Sequence, residues 1–312
     1  MKVIIQKSKG ETGKGKFSIR LTAALKKLGV EVSNNTHEKA DIALHIGRVH
    51  YNSRAKKNVL RLGPAHVNSV QNYKKLNKEK FKSVKAVDAI VYQSKYSRKV
   101  CRKFIGRRDI PEAVIFNGAD PEFYGKMEKY DYVGDLSHFI VSTRKWISQK
   151  RLSQIIEAFK VADLPNSYLH ICGNILDNKR VKYSDCCNVI EYYGSVDDIM
   201  LGRLYKTCNA MIHVPYLDAC PNSVVEALVA GCPVITTDQG GTKELCGMES
   251  AVIKDKPYDF KPINLERPPK VDINALARAI QIYACDKKPF ERRDLWIDNI
   301  ARQYVKFFES IL

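Results

Sequence analysis

The stretch Asp218-Ala-Cys-Pro221-Asn222-Ser223-Val224-Val-Glu226-Ala-Leu-Val-Ala-Gly231-Cys-Pro233-Val-Ile235 reads as loop, helix, turn and strand in immediate succession. The apolar run Ala210–Val214 before it has the length of a buried strand. Strand, crossover helix and next strand form the repeating unit of a parallel α/β sheet. The helix start at Pro221, Asn222, Ser223 and Val224 presents backbone amides and a partial positive charge, which suits a diphosphate. Asp218 is expected in the loop and Glu226 in the first helical turn. Two carboxylates flanking such a site can accept hydrogen bonds from sugar hydroxyls. A plainer reading stands beside this one. Ser223-Val-Val-Glu226 also fits a capping box, and Gly231 and Pro233 are ordinary helix-stop signals.

Working outward, the same alternation fills the chain. Towards the N-terminus, strands are predicted at Lys2–Gln6, Val30–Val32, Ile42–Ile46, Asn58–Leu62, Ala89–Tyr92 and Ala113–Phe116. Helices fall at Phe17–Leu28, with Gly29 closing it, and at Gln71–Lys85 and Ser94–Phe104. The polar segment Gly125–Asp135 reads as a linker. After it come strands at Phe139–Ser142, Tyr168–Cys172, Val189–Tyr192, Ala210–Val214 and Pro233–Thr236, and helices at Ser153–Val161, Ser223–Ala230 and Asn274–Ala284. The tail Leu295–Leu312 is helical and amphipathic. Two Rossmann-like doubly wound parallel sheets in tandem would face each other across a cleft, with ligands outside the carboxyl ends of the strands.

Composition narrows the function classes. The chain has 312 residues, 45% hydrophobic and 28% charged, enough for about two cored domains. No apolar run approaches a membrane span, and the polar start MKVIIQKSKG does not resemble a signal peptide. Nine cysteines without a C-x-x-C pair, among them adjacent Cys186 and Cys187, argue against a zinc site or a disulfide framework. Cys172 and Cys232 read as small buried hydrophobes of a reducing compartment, so a cytoplasmic protein is expected. The net charge is +18; the first 110 or so residues carry about +20 and the rest is near neutral. A basic half attracts phosphates, whether of nucleic acid, anionic lipid or a phosphorylated acceptor, although a solvated lysine-rich surface explains it equally. Peripheral contact with an anionic membrane is compatible with that charge.

Further motifs lie in a telling order. Val114-Ile-Phe-Asn117-Gly118-Ala-Asp-Pro-Glu-Phe123 ends the first half. Ser142-Thr-Arg144-Lys145-Trp-Ile-Ser-Gln-Lys150-Arg-Leu opens the second with a cluster of cations. Gly173 and Gly194-Ser-Val196 follow strands, and Gly240-Gly-Thr-Lys-Glu244 follows another. These are also ordinary turn glycines. Gly10-Glu-Thr-Gly13-Lys-Gly15-Lys16 nearly spells a P-loop. Phe17, however, stands where Ser or Thr should bind magnesium, and it serves better as the first core residue of a helix.

Taken together, these segments resemble family 4 of the glycosyltransferases, the retaining group of the GT-B fold. The pattern is Asp218-x7-Glu226 followed by Gly231-Cys-Pro233-Val, with Asp218 where the family usually has glutamate. The resemblance implies an N-terminal Rossmann-like acceptor-side domain over residues 1–128 and a donor domain over 135–290. It also implies a C-terminal helix, 291–312, crossing back to the first domain. A sugar would pass from a UDP- or GDP-sugar to a glycan, a lipid-linked sugar or another hydroxyl acceptor, with retention and with neither metal nor cofactor. Lys150 would hold the diphosphate together with Arg144 or Lys145, Asp218 the donor sugar and Glu226 the ribose. Backbone at Gly173, Gly194 and Val196 would meet the nucleotide. Gly13 and Gly15 would face the cleft and touch the donor phosphates or the acceptor. Val59-Leu-Arg61-Leu-Gly63-Pro64-Ala-His66 resembles an R-L-D-G segment of one subgroup. There His66 would either hydrogen-bond the transferred sugar or remain a surface loop histidine. The alternative functions are a non-catalytic GT-B protein binding nucleic acid or an anionic surface, and a nucleotide-sugar epimerase.

Overall fold

The computed structural model describes residues 1–6, 12–132, 136–175, 183–185, 188–285 and 289–312. The chain divides into two compact units. One comprises Met1–Asp120, Phe260–Ile263 and Arg293–Leu312; the other comprises Pro121–Asp259 and Asn264–Arg292.

The first unit runs β1 (Lys2–Ile5), α1 (Gly13–Lys27), β2 (Glu31–Ser33), β3 (Lys39–Ile46), β4 (Arg54–Leu62), α2 (Tyr73–Lys85), β5 (Ala89–Tyr92), α3 (Lys95–Phe104) and β6 (Glu112–Val114). Its described strands form a parallel sheet in the order β2-β1-β3-β4-β5-β6. The four residues of β5 are all buried, as expected for a strand covered on both faces. Helix α1 forms because Thr12 caps it, accepting from the Gly15 amide at 3.2 Å, and because Phe17, Leu21 and Leu25 recur at helical spacing. Phe17 is 1% exposed, the core use expected of it. Gly10 and Glu11 of the P-loop-like segment lie outside the described residues.

The second unit runs α4 (Pro121–Gly125), β7 (Ser137–Lys145), α5 (Leu152–Ala162), β8 (Ser167–Asn174), β9 (Tyr183–Asp185), β10 (Asn188–Gly194), α6 (Asp198–Thr207), β11 (Ala210–His213), α7 (Asn222–Val229), β12 (Val234–Thr237), β13 (Ala251–Ile253) and α8 (Ile273–Ala284). The sheet order is β13-β12-β11-β7-β8-β10-β9, parallel except for the antiparallel edge strand β9. Gly125 ends α4, residues 126–132 form neither helix nor strand, and 133–135 lie outside the described residues. So do Cys186 and Cys187. The last helix, α9 (Ile297–Ile311), returns to the first unit. There Ile297, Ile300, Ala301, Tyr304 and Phe308 join the core of α1, with the Tyr304 ring tilted against Phe17 at 6.3 Å between centroids.

Two expectations are corrected. The capping box does not form. Pro221 is the N-cap of α7 and makes no side-chain cap, so Ser223 is already the second helical residue. Glu226 is therefore the fifth residue of α7, beyond its first turn, and only 4% exposed. The structure also adds α4, α6, β9 and β13, which the periodicity did not mark.

Candidate functional site

In the second unit, β7 and β11 are parallel neighbours, and their carboxyl ends lead into the loops that carry the expected residues. After β7 the chain makes a 3-10 turn over Ser148–Lys150. The next residue, Arg151, takes a left-handed backbone (φ 58°), which aims its side chain inward. Its guanidinium pairs with both oxygens of Asp255, at 2.5 and 3.1 Å, with neither side chain exposed, and donates to the Val214 carbonyl at 3.2 Å. On the other side of Lys150, Gln149 donates to the Tyr216 carbonyl at 2.7 Å and accepts from the Tyr216 amide at 3.2 Å. Lys150 thus sits between two residues that are each anchored to the loop after β11. Its ammonium has little freedom to wander, and that preorganises it as a point charge.

That charge meets Asp218. Lys150 Nζ donates to Asp218 Oδ2 at 2.7 Å, and His213 Nε2 lies 3.5 Å from the same oxygen. Asp218 Oδ1 accepts from the Ala219 amide at 2.9 Å. Burial by itself would push the Asp218 carboxyl up. The Lys150 charge and His213 outweigh it and hold the group well below the usual carboxylate range. Burial keeps His213 below its ordinary value against the pull of Asp218, so it is a neutral imidazole at pH 7. A small cavity opens here, lined by Trp146, Lys150, His213 and Pro215 among others. The indole nitrogen of Trp146 is buried without a protein partner.

The loop carrying Asp218 is braced from behind. The Asp218 carbonyl accepts from the Gly241 amide at 2.7 Å, and Gly240 beside it has φ +90°. A Cβ on Gly240 would lie 2.6 Å from that carbonyl oxygen. The Gly240-Gly241 pair therefore has a structural task in placing Asp218. Gly173 has another: at φ +123°, a Cβ there would overlap the Thr143 carbonyl oxygen, where β7 and β8 change register. Gly194 ends β10 at φ +69° facing open space, and Val196 is half-buried in the loop before α6.

Arg144 and Lys145 end β7, both exposed, and neither has a side-chain partner among the described residues. Pro221, Asn222, Ser223 and Val224 form the start of α7, downstream of Asp218. Gly13 and Gly15 belong to the first unit, in the opening turn of α1. His66 also lies there, its backbone clasped by Asn77 in two 2.8 Å hydrogen bonds. Burial, then Lys80 and Lys14, push its imidazole down to about 4.

Residues 136–261 match the family model described as Glycosyl transferases group 1. The match covers less than half of the chain and lies almost wholly within the second unit. Solved structures with the same fold include Anabaena HepE in complex with UDP and glucose, at 13% identity and TM-score 0.60, covering 99% of this chain and 100% of that one. AviGT4, a glycosyltransferase involved in avilamycin A biosynthesis, is similar at 16% identity and TM-score 0.60, covering 99% and 97%. Sucrose-phosphate synthase from Thermosynechococcus elongatus is similar at 13% and 0.58, covering 99% and 94%. At these identities the likeness is one of fold, the two-domain α/β GT-B arrangement. No curated protein sequence matches the chain. Among the described residues no helix is long and apolar enough to cross a membrane.

Sequence reasoning missed His213, Trp146 and the Arg151–Asp255 pair. A histidine interrupting the apolar run of β11 was the only available signal. Arg151 and Asp255 are 104 residues apart, and nothing local links them.

Proposed function

We propose that this chain is a glycosyltransferase that takes its sugar from a nucleoside-diphosphate sugar held by the second unit. The carrying observation is the pair of Lys150 and Asp218 at 2.7 Å, at the carboxyl ends of β7 and β11, within the glycosyl transferases group 1 segment. In this reading the diphosphate draws Lys150 away from Asp218, together with Arg144 or Lys145. Asp218 Oδ2 is then left to accept from a hydroxyl of the donor sugar. Glu226 takes the ribose, the start of α7 faces the phosphates, and backbone at Gly194 and Val196 meets the base. Transfer proceeds with retention. The bond from the anomeric carbon to the phosphate oxygen breaks, the acceptor oxygen bonds on the same face, and the acceptor proton passes to the leaving phosphate. The acceptor is a glycan, a lipid-linked sugar or another hydroxyl compound. HepE has been solved with UDP and with UDP-glucose, which supports a UDP-sugar ahead of a GDP-sugar.

A thermal-shift screen against UDP-, GDP- and ADP-sugars tests this, because a ligand that binds the native state raises its melting temperature. A rise with one nucleotide series is expected, and it should fall away in Lys150→Ala and Glu226→Ala without loss of folding. Undiminished shifts in both variants would reject the site assignment. The absence of any shift would move the weight to a basic binding protein, and nucleic acid and anionic vesicles would be tested next. The anomeric coupling of the product, read by NMR, decides retention.

A further inference from the structure

In the second unit, β11 reads Ala-Met-Ile-His, and all four residues are buried. The last of them, His213, is 4% exposed, and its Nε2 has no hydrogen-bond partner among the described residues. An apolar side chain would fill that place without leaving a polar atom unsatisfied. The acceptor that the fold brings to this nitrogen is Asp218 Oδ2, at 3.5 Å. That is about half an ångström longer than a hydrogen bond. The oxygen is already held by Lys150 Nζ, at 2.7 Å.

The rest of Asp218 is fixed. Oδ1 accepts from the Ala219 amide at 2.9 Å, and the main-chain carbonyl accepts from the Gly241 amide at 2.7 Å. Oδ2 is therefore the atom whose partner can change. A lone pair on Nε2 would be repelled by the carboxylate, so the ring proton belongs on Nε2. Burial keeps the imidazole below its ordinary value, so His213 brings no second positive charge against Lys150. If Lys150 leaves, neighbouring elements supply no replacement cation. Arg151 is committed to both oxygens of Asp255, with neither side chain exposed, and β12, beside β11, is Val-Ile-Thr-Thr. A carboxylate buried without a partner is driven towards its neutral form, which would turn Oδ2 from an acceptor into a donor. A carboxylate oxygen accepts two hydrogen bonds, so a bond from His213 still leaves room for one from a sugar hydroxyl.

We propose that His213 is a positioning residue for Asp218: when a diphosphate draws Lys150 away, Nε2–H closes on Oδ2 and keeps the carboxylate ionised and aimed at the donor sugar. The occasion for this hand-over rests on the glycosyltransferase reading; the hand-over itself is a property of the three side chains.

Two measurements test it, with circular dichroism confirming that each variant is folded. The first needs no donor. Lys150→Ala removes the cation as a diphosphate would. In the wild-type background His213→Leu should move the urea midpoint little, because Lys150 still holds Asp218. In Lys150→Ala the same change should move it much further, since the carboxylate then has neither partner. His213→Gln, whose amide keeps an N–H near the place of Nε2, should remove most of that extra loss. An additive cycle overturns the hand-over. The second measurement compares UDP with UDP-glucose by titration calorimetry. His213→Leu should weaken UDP-glucose about tenfold and leave UDP unchanged, because Asp218 serves the sugar and not the diphosphate. His213→Gln should restore the difference. Equal losses for both ligands, or equal behaviour of the Leu and Gln variants, overturn the positioning role and leave the glycosyltransferase reading intact. If no nucleotide or nucleotide-sugar binds the wild-type protein, that reading fails, and the donor-free cycle alone decides the hand-over.

Discussion

At the scale of single residues, Gly240 shows how backbone packed behind a site residue sets the position of Asp218. Its φ of +90° disfavours any side chain, and the carbonyl of Asp218 occupies the space a Cβ would need. Gly240→Ala should therefore cost about 1–3 kcal/mol, the usual range for a strained backbone residue. It should also weaken nucleotide-sugar binding by moving the Asp218 loop away from Lys150. Chemical denaturation and donor titration of the same variant check both halves; a stability loss with unchanged donor affinity would mean that the loop does not serve the site. Lys150 and Asp218 each lie in a local motif that can be read from the sequence, whereas their 2.7 Å pairing joins residues 68 apart. His213 and Arg151 were not legible in this way. Their roles arise only when β11 lies beside β7 and when Asp255 folds under the Lys150 turn, and these pairings carry no short-range signature.

Among the elements, the helices show where sequence patterns mislead. Ser223 and Glu226 have the spacing of a capping box, but Pro221, two residues before Ser223, takes the N-cap of α7. Its fixed φ suits that entry, and the serine is drawn inside the helix. Helix α6 is the reverse case. It was not marked in the sequence because Gly202 stands mid-helix, normally a weak helix residue. The structure explains the glycine, since a Cβ there would press to 3.0 Å from Met127. Asp197 caps this helix, accepting from the Met200 amide at 2.7 Å. The two helices give a paired prediction. Asp197→Ala should cost about 1 kcal/mol, as loss of a true cap does, and Ser223→Ala should stay within about 0.5 kcal/mol. Equilibrium unfolding of both variants measures this. A loss at Ser223 equal to that at Asp197 would show that the capping box forms after all. A strand such as β5 is easier to read, because complete burial makes it an unbroken apolar run.

For the whole molecule, the chain's order in sequence is not its order in space. The first unit is completed only by the last twenty or so residues, which return after the second unit has been built. Gly118 and Ala119 of the Asn117-Gly118-Ala119 motif receive this return. Asn117 accepts from the buried Arg61, Gly118 leaves room for Ile297, whose Cα would lie 2.9 Å from a Cβ, and Ala119 bridges Trp296. The segment that reads as a plain Asn-Gly turn is thus the seat of α9. Tyr304 and Phe308, both fully buried, then cover the apolar face of α1. Removing them should be costly: Phe308→Ala is expected to lose about 3–5 kcal/mol, the range for a large buried aromatic. Truncation after Arg292 removes the whole face and should leave the first unit unable to hold its native packing. The second unit keeps every one of its own strands. Hydrogen exchange on the truncated chain would then show protection lost across β1, β3 and β4 and kept across β7, β8 and β11. Protection retained in the first unit would mean that α1 and its sheet make a sufficient core alone, and that α9 is an addition to the unit, not a part of its fold.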